Sequence, residues 1–551
     1  MVEKYVTRTE FESYEDYYAN LGIVVPEQFN FAYDVVDEWA RTDPDKLALV
    51  WVDEHGEHSA SFTFADLKRE SDRTAAFFQS VGIGKGDPVM LVLKRRYQFW
   101  FCVLALHKLG AIAIPTTHLV TAKDIVYRNN AAGVKMIVAA HDDRLLESIE
   151  ASEIASPTLV AKAVIGGPRE GWHDFDAEIA EAGDFPRPVG DAAVTNEDIM
   201  LLYFTSGTTG LPKMVVHNFT YPLGHILTAA FWQQTKDGGL HLTVADTGWA
   251  KAAWGKIYGQ WICGAAVFAY DYDRFEAASM MHVVANHGVT SFCAPPTIYR
   301  FIIRLDLSHF DLSKVEHWTV AGEPLNPQVF EEFLRQTGKE IKEGYGQTET
   351  VVAVATWPWL RPKPGSMGKP SPGYDVDLVK DDGERCAPGE EGHLILRTSG
   401  ALPPGMFVGY YRDPDLTASV WHGGVYDTGD IASRDEDGYY WFAGRADDMI
   451  KSSGYRIGPF EVESALVEHP AVLECAITGV PDPDRGQVVK ATVVLCSGYE
   501  ACEDLMRELQ DHVKQVTAAY KYPRIIEFVT ELPKTISGKI RRVEIRESDA
   551  D

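Results

Sequence analysis

Two periodicities alternate through the first two thirds of the chain. From Phe64 to Val81 apolar residues recur at helical spacing, and Pro88 to Leu93 is a short run of β-formers. Gln98 to Leu109 predicts a buried helix, and Ala111 to Ile114 a buried strand. Such alternation predicts α/β layers around a largely parallel sheet. From about Met367 to Tyr440 the texture changes to short strands divided by Pro-Gly and Asp-Gly turns, as at Asp382-Gly383 and Asp437-Gly438. After Gly444-Arg445 it changes again. Phe460 to Val467 and Leu505 to Val516 predict helices, and Glu474 to Val480 and Val488 to Leu495 predict strands. The expected fold class is α/β: a large N-terminal α/β domain with mixed sheets over 1–446, holding a β-rich subdomain at about 367–440. A small α+β C-terminal domain over 447–551 follows.

Charge narrows the choice of ligand. Acidic residues number 80 against 52 basic, a formal net charge of −28, which repels nucleic acid and anionic membranes on average. A few placed cations and backbone N–H groups still suffice for a small anion. The seven cysteines form no CxxC pair and read as buried apolar residues in a reducing compartment. The start, Met-Val-Glu-Lys-Tyr, carries no secretory pattern. Neither Tyr97 to Ile114 nor Met214 to Thr235 matches a membrane span. These features predict a cytoplasmic protein, monomeric or homodimeric, whose partners are small molecules.

The most informative stretch is Thr205-Ser206-Gly207-Thr208-Thr209-Gly210-Leu211-Pro212-Lys213, between an apolar strand at Ile199 to Phe204 and another at Met214 to His217. Its glycines let main-chain N–H groups turn toward an anion, while four hydroxyls and a lysine add donors. That donor set suits a triphosphate. It is not a Walker A loop, because no Gly-Lys-Ser/Thr opens a helix. Further along, Tyr345 between two glycines offers a flat face for a purine, and Glu349 is a hard oxygen donor for Mg²⁺. Asp430 can accept from vicinal ribose hydroxyls, and Arg445 can give a forked, charge-assisted bond.

Taken in order, these segments resemble the acyl-adenylate-forming enzymes, which include acyl-CoA synthetases, luciferases and peptide-synthetase adenylation domains. The resemblance spans almost the whole chain and is greatest to medium-chain acyl-CoA synthetases. It implies ATP binding by Thr205, Ser206, Gly207, Thr208, Thr209, Gly210 and Lys213, and by the adenine-edge segment Gly322-Glu323-Pro324. It adds Glu343-Gly344-Tyr345-Gly346-Gln347-Thr348-Glu349 for adenine, α-phosphate and magnesium, Asp430 within Tyr426–Asp430 for ribose, and Arg445. Asp447 resembles the inter-domain hinge, and 533–541 the catalytic lysine loop that carries Lys539. Lys539, Lys213, Thr348 and Glu349 are the implied catalytic set, with Glu349 on Mg²⁺. By the same resemblance Lys539 serves adenylate formation and leaves for the second step, in which Ser453, Gly454, Tyr455, Arg456, Arg485, Lys514 and Tyr522 hold coenzyme A.

The acyl pocket maps to Trp249, Trp254, Tyr345 and Gly346. Acetate-specific relatives resemble Trp-Trp-Gln-Thr-Glu where this chain has Tyr345-Gly346-Gln347-Thr348-Glu349. Gly346 removes that wall, and Trp254 refills part of the space. The expectation is a short-to-medium aliphatic acid, branched chains included, with a graded preference. The implied activity is an ATP-dependent acyl-CoA synthetase (acid–thiol ligase) acting through acyl-AMP. The alternatives are transfer to a carrier protein, another acid class such as acetate or an aryl acid, and a non-catalytic nucleotide-binding protein.

Overall fold

The computed structural model describes residues 1–205, 212–400, 402–534 and 540–550, with only the backbone of Ala550. Most of the chain folds onto two large sheets. A seven-stranded sheet is parallel except at its last pair, where strand Ile199–Thr205 runs antiparallel to Lys213–Asn218. A 14-stranded sheet has a half built from strands between Leu47 and Tyr345, parallel except for the edge strand Ser59–Thr63. It crosses through the two-residue strand Val354–Ala355 into an antiparallel half from Ser366 to Arg445. The β-rich stretch therefore continues the large sheet. A third, five-stranded sheet collects Ile450–Ser452, Tyr455–Ile457, Val472–Asp482, Gly486–Leu495 and Ile525–Val529, with helices Pro459–Val467 and Glu503–Val516 beside it.

The local chemistry explains the elements. Helix Phe64–Ser80 starts at a capping box, Thr63 bonding the Asp66 N–H and Asp66 the Thr63 N–H. Helix Gln98–Leu109 is buried along every face and ends at Gly110 in the left-handed region. Because that helix is sunk in the core, Lys108 is fully buried; its ammonium is ion-paired with Asp37 at 2.9 Å and donates to Asp72 at 2.6 Å. Five cysteines are buried as expected. Cys496 is half-buried and Cys502 is exposed; the Cys502 sulfur accepts the Leu505 N–H at 3.4 Å and so caps a helix. No helix among the described residues is long and apolar enough to cross a membrane.

Removing Lys108 leaves Asp37 without its ion-pair partner and Asp72 with Lys68 alone, at 2.5 Å. Lys108→Met keeps the volume and is expected to cost about 3–5 kcal/mol. Urea unfolding followed by tryptophan fluorescence checks this.

Candidate active site

Strand Lys213–Asn218 opens at the end of the glycine-rich segment, with Lys213 paired in register with Thr205. Ser206, Gly207, Thr208, Thr209 and Gly210 lie outside the described residues, as does Lys539. Along the strand, side chains 213, 215 and 217 share one face. On that face the Lys213 ammonium lies 5.4 Å from the Tyr410 ring centre, and the Tyr410 hydroxyl donates to Glu349 Oε1 at 2.9 Å. Burial pushes the Glu349 carboxyl above its ordinary pKa, while Tyr410, Lys213 and Arg445 pull the other way. A divalent cation held mainly by phosphate oxygens suits such a lone hard donor. Among the described residues no cluster of three or more His, Cys, Asp or Glu forms a ready-made metal cage.

Asp430 is the second focus. Its Oδ2 accepts the Tyr345 hydroxyl at 2.5 Å and Gln347 Nε2 at 2.7 Å, and its Oδ1 accepts Arg445 Nη1 at 3.0 Å. Tyr426 donates to Gln347 Oε1 at 2.8 Å, fixing which way that amide points. Burial works against the Arg445 charge, but Asp430 and Asp447 overcome it and hold the guanidinium above its ordinary pKa. Gly429 makes room for this: a Cβ there, at φ +70°, would stand 2.8 Å from Arg445 Nη2. The family resemblance assigns Asp430 to the ribose. The structure shows three protein donors already on it, so ribose hydroxyls have the remaining Oδ1 lone pair or must displace a donor.

The adenine-edge segment joins the same assembly. Glu343 is buried and accepts the Leu325 N–H at 3.2 Å, just past Gly322-Glu323-Pro324. Glu323 faces Thr297 at 3.4 Å and Arg300 at 3.9 Å. A Cβ on Gly344 would meet the Trp232 indole at 2.6 Å. At Gly346 an added Cβ would meet Trp254 Cη2 at 2.6 Å and Val351 O at 2.3 Å. Trp254 therefore occupies the space that a side chain at 346 would need. It rests edge-on against Trp232 with ring centres 6.0 Å apart, while Trp249 heads its helix half-buried.

The residues assigned to coenzyme A form separate groups. Ser453, at φ 51°, and Gly454, at φ 85°, turn the hairpin beside Arg485, whose carbonyl accepts the Ser453 N–H at 2.9 Å. Tyr455 stacks on Tyr520 at 4.2 Å. Lys514 sits over the Tyr522 ring at 4.4 Å and pairs with Asp511. Arg456 does not join them; it is ion-paired with Asp381 of the large antiparallel half-sheet. The sequence pattern did not single out Tyr410, Trp232 or His217, and gave Tyr426 only as the start of the ribose segment. Only His217 had a usable signal, its place four residues after Lys213 on one strand face.

Comparison with known proteins gives the family. Residues 36–411 match the AMP-binding enzyme model, and 461–539 the AMP-binding enzyme C-terminal domain. Acyl-coenzyme A synthetase ACSM3, mitochondrial, of Mus musculus is 40% identical over 98% of this chain and 94% of its own length. Acyl-coenzyme A synthetase ACSM5, mitochondrial, of Homo sapiens is 41% identical over 96% and 91%. Among solved structures, the anthranilate CoA ligase AuaEII in complex with anthranoyl-AMP superposes with TM-score 0.87 at 30% identity, covering 96% of this chain and 98% of that one. Brucella canis acyl-CoA synthetase gives 0.74 at 32%, covering 98% and 99%. These relatives correct the expected cytoplasmic location, since the curated ones are mitochondrial.

The site also makes a pH prediction. Burial pushes the Glu343 carboxyl from 4.5 up to about 8, against the Leu325 N–H. Unfolded chains lose this proton near 4.5 and the folded site near 8, so the group removes stability as pH rises between those values. Glu343→Gln is expected to flatten that decline, read from urea midpoints at pH 6 and pH 8.5. Motif order, the connected site and full-length similarity agree: the chain belongs to the AMP-binding enzyme family, the acyl-adenylate-forming enzymes.

Proposed function

We propose that this enzyme activates a short-to-medium aliphatic carboxylic acid, with the roles below for its residues. The chemistry itself is that of an AMP-forming acid–CoA ligase using ATP and coenzyme A. The substrate carboxylate attacks the α-phosphorus of ATP, the bond to the bridging oxygen breaks, and pyrophosphate departs. The CoA thiol then attacks the acyl carbon, gives up its proton, and AMP leaves as a phosphate anion.

The observation that carries the assignment is the linked pair Lys213–Tyr410–Glu349 and Tyr345–Gln347–Arg445 around Asp430, drawn from residues 213 to 445. Lys213 faces the departing phosphates, and Thr348 borders the α-phosphate. Glu349 is the residue that would hold a magnesium ion, which would neutralise charge on the phosphate oxygens. Asp430 and Arg445 orient the ribose, and the Tyr345 ring faces adenine. Lys539 supplies charge at the α-phosphate in the first step. The small C-terminal unit then turns about Asp447, bringing Ser453, Gly454, Tyr455 and Arg456 to the adenylate. Arg485, Lys514 and Tyr522 take the nucleotide part of CoA. The turn breaks the Arg456–Asp381 pair, which is solvent-exposed and opposes it only weakly.

Trp254 against Gly346 supports the acid class, because an indole there closes the pocket beyond a short chain without the tighter stop a side chain at 346 would impose.

Two outcomes test this reading. Lys539→Ala is expected to lose acid-dependent ATP–pyrophosphate exchange by at least about 10²-fold while still converting preformed acyl-AMP to acyl-CoA. Equal damage to both steps rejects the two-position scheme. Trp254→Ala is expected to move the best substrate toward longer acids across a C2 to C10 panel, each added methylene gaining roughly 10-fold in kcat/KM. An unchanged chain-length profile removes Trp254 from the pocket.

A further inference from the structure

The loop from Tyr345 to Glu349 carries adenine, phosphate and metal contacts in the proposed function, so its backbone must be held still. The structure shows how. The carbonyl of Tyr345 accepts the Ala353 N–H at 2.8 Å, that of Gln347 the Thr350 N–H at 3.3 Å, and that of Glu349 the Phe407 N–H at 2.7 Å. The Thr348 carbonyl is different: it takes a side chain, His217 Nε2, at 2.8 Å. A carbonyl oxygen only accepts, so Nε2 bears the proton. His217 Nδ1 is then a bare lone pair, and it has no hydrogen-bond partner among the described residues.

His217 is itself rigidly mounted. It is fully buried, its ring is stacked on Tyr221 with centres 3.8 Å apart, and Tyr203 meets it edge-on at 6.4 Å. It also shares a strand face with Lys213, one pleat-pair away. The far edge of this strand is anchored too: Val408 and Tyr411 donate to its carbonyls, and Tyr410 reaches Glu349. One short strand thus presents Lys213 at its start and, four residues on, the only side chain that grips the Thr348–Glu349 backbone among these carbonyl contacts.

We infer that His217 is a positioning residue for adenylate formation: its Nε2–H bond to Thr348 sets the distance between the Lys213 ammonium and the Thr348–Glu349 segment. This rests on the proposed function and extends it to a residue outside the nucleotide contacts. The imidazole moves no proton in this role; it is a strut. The consequence is selective. Adenylate formation needs lysine, metal-bearing carboxylate and α-phosphate in register, and a misplacement of about 1 Å costs on the order of 10²-fold. Thioester formation, which starts after pyrophosphate has left, depends less on that spacing.

The test compares three variants of the full-length enzyme. His217→Phe keeps the ring on Tyr221 and deletes the donor; His217→Gln returns an N–H donor near the Nε2 position; His217→Asn withdraws it by one methylene. Acid-dependent ATP–pyrophosphate exchange, its Mg²⁺ requirement, and conversion of preformed acyl-AMP with CoA are measured for each. The expected result for Phe is an exchange kcat lower by roughly 10- to 100-fold, a raised Mg²⁺ requirement, and thioester formation within about 3-fold of wild type. Gln recovers most of the exchange rate and Asn less. If Phe does not fold, the Gln-to-Asn difference in exchange at equal thioester rate decides the same question. Wild-type exchange in Phe, a Gln variant as impaired as Phe, or equal loss in both half-reactions overturns the inference. Failure of the proposed function looks different: the wild-type enzyme itself would show no acid-dependent exchange.

Discussion

A buried carboxylate with three donors holds this site together. Asp430 accepts from Tyr345, Gln347 and Arg445, side chains that arrive from two strands and the loop between them. In a dry environment a carboxylate without such partners would cost several kcal/mol or take up a proton. With them, it fixes the orientation of an aromatic ring, an amide and a guanidinium at once. Arg445 then reaches Asp447 at 3.7 Å, so the same charge cluster extends to the position proposed as the pivot. Asp430, Arg445 and Asp447 thus form one electrostatic network.

The two large sheets supply the geometry that this network needs. Strand Lys213–Asn218 ends the seven-stranded sheet, yet Val215 also bridges to Tyr410 of the neighbouring segment. Tyr345 lies at the end of a central strand of the 14-stranded sheet, and Asp430 and Arg445 pair in register on adjacent strands of its antiparallel half. Glycines at 429 and 346 let an arginine and an indole approach the backbone where any side chain would collide. An overall charge of −28 leaves room for local positive charge, and Lys213 and Arg445 bring it to this site.

Much of this was legible in the sequence. Helix Gln98–Leu109, strand Ile199–Thr205 and the helix and strand pattern after Arg445 followed from periodicity, and Thr205, Lys213, Tyr345, Asp430 and Arg445 from motif chemistry. The continuity of the β-rich stretch with the parallel sheet was not legible, since it runs through two residues, Val354 and Ala355. Nor were Tyr410 and the bond from Tyr426 to Gln347, which depend on contacts across more than 60 residues. The occupancy of Asp430 by protein donors was equally hidden, because spacing identifies an acceptor without revealing who fills it. Location failed for another reason: composition reports a chemical environment, and several compartments share it.

The central claim is that the Asp430 charge, through Arg445, Tyr345 and Gln347, builds the nucleotide site. Calorimetric binding of ATP to Asp430→Asn tests it most directly, since that change keeps the shape and removes the charge. The account predicts at least about tenfold weaker binding, or about 1.4 kcal/mol, in a protein that unfolds close to the wild-type temperature. Unaltered ATP affinity would contradict it.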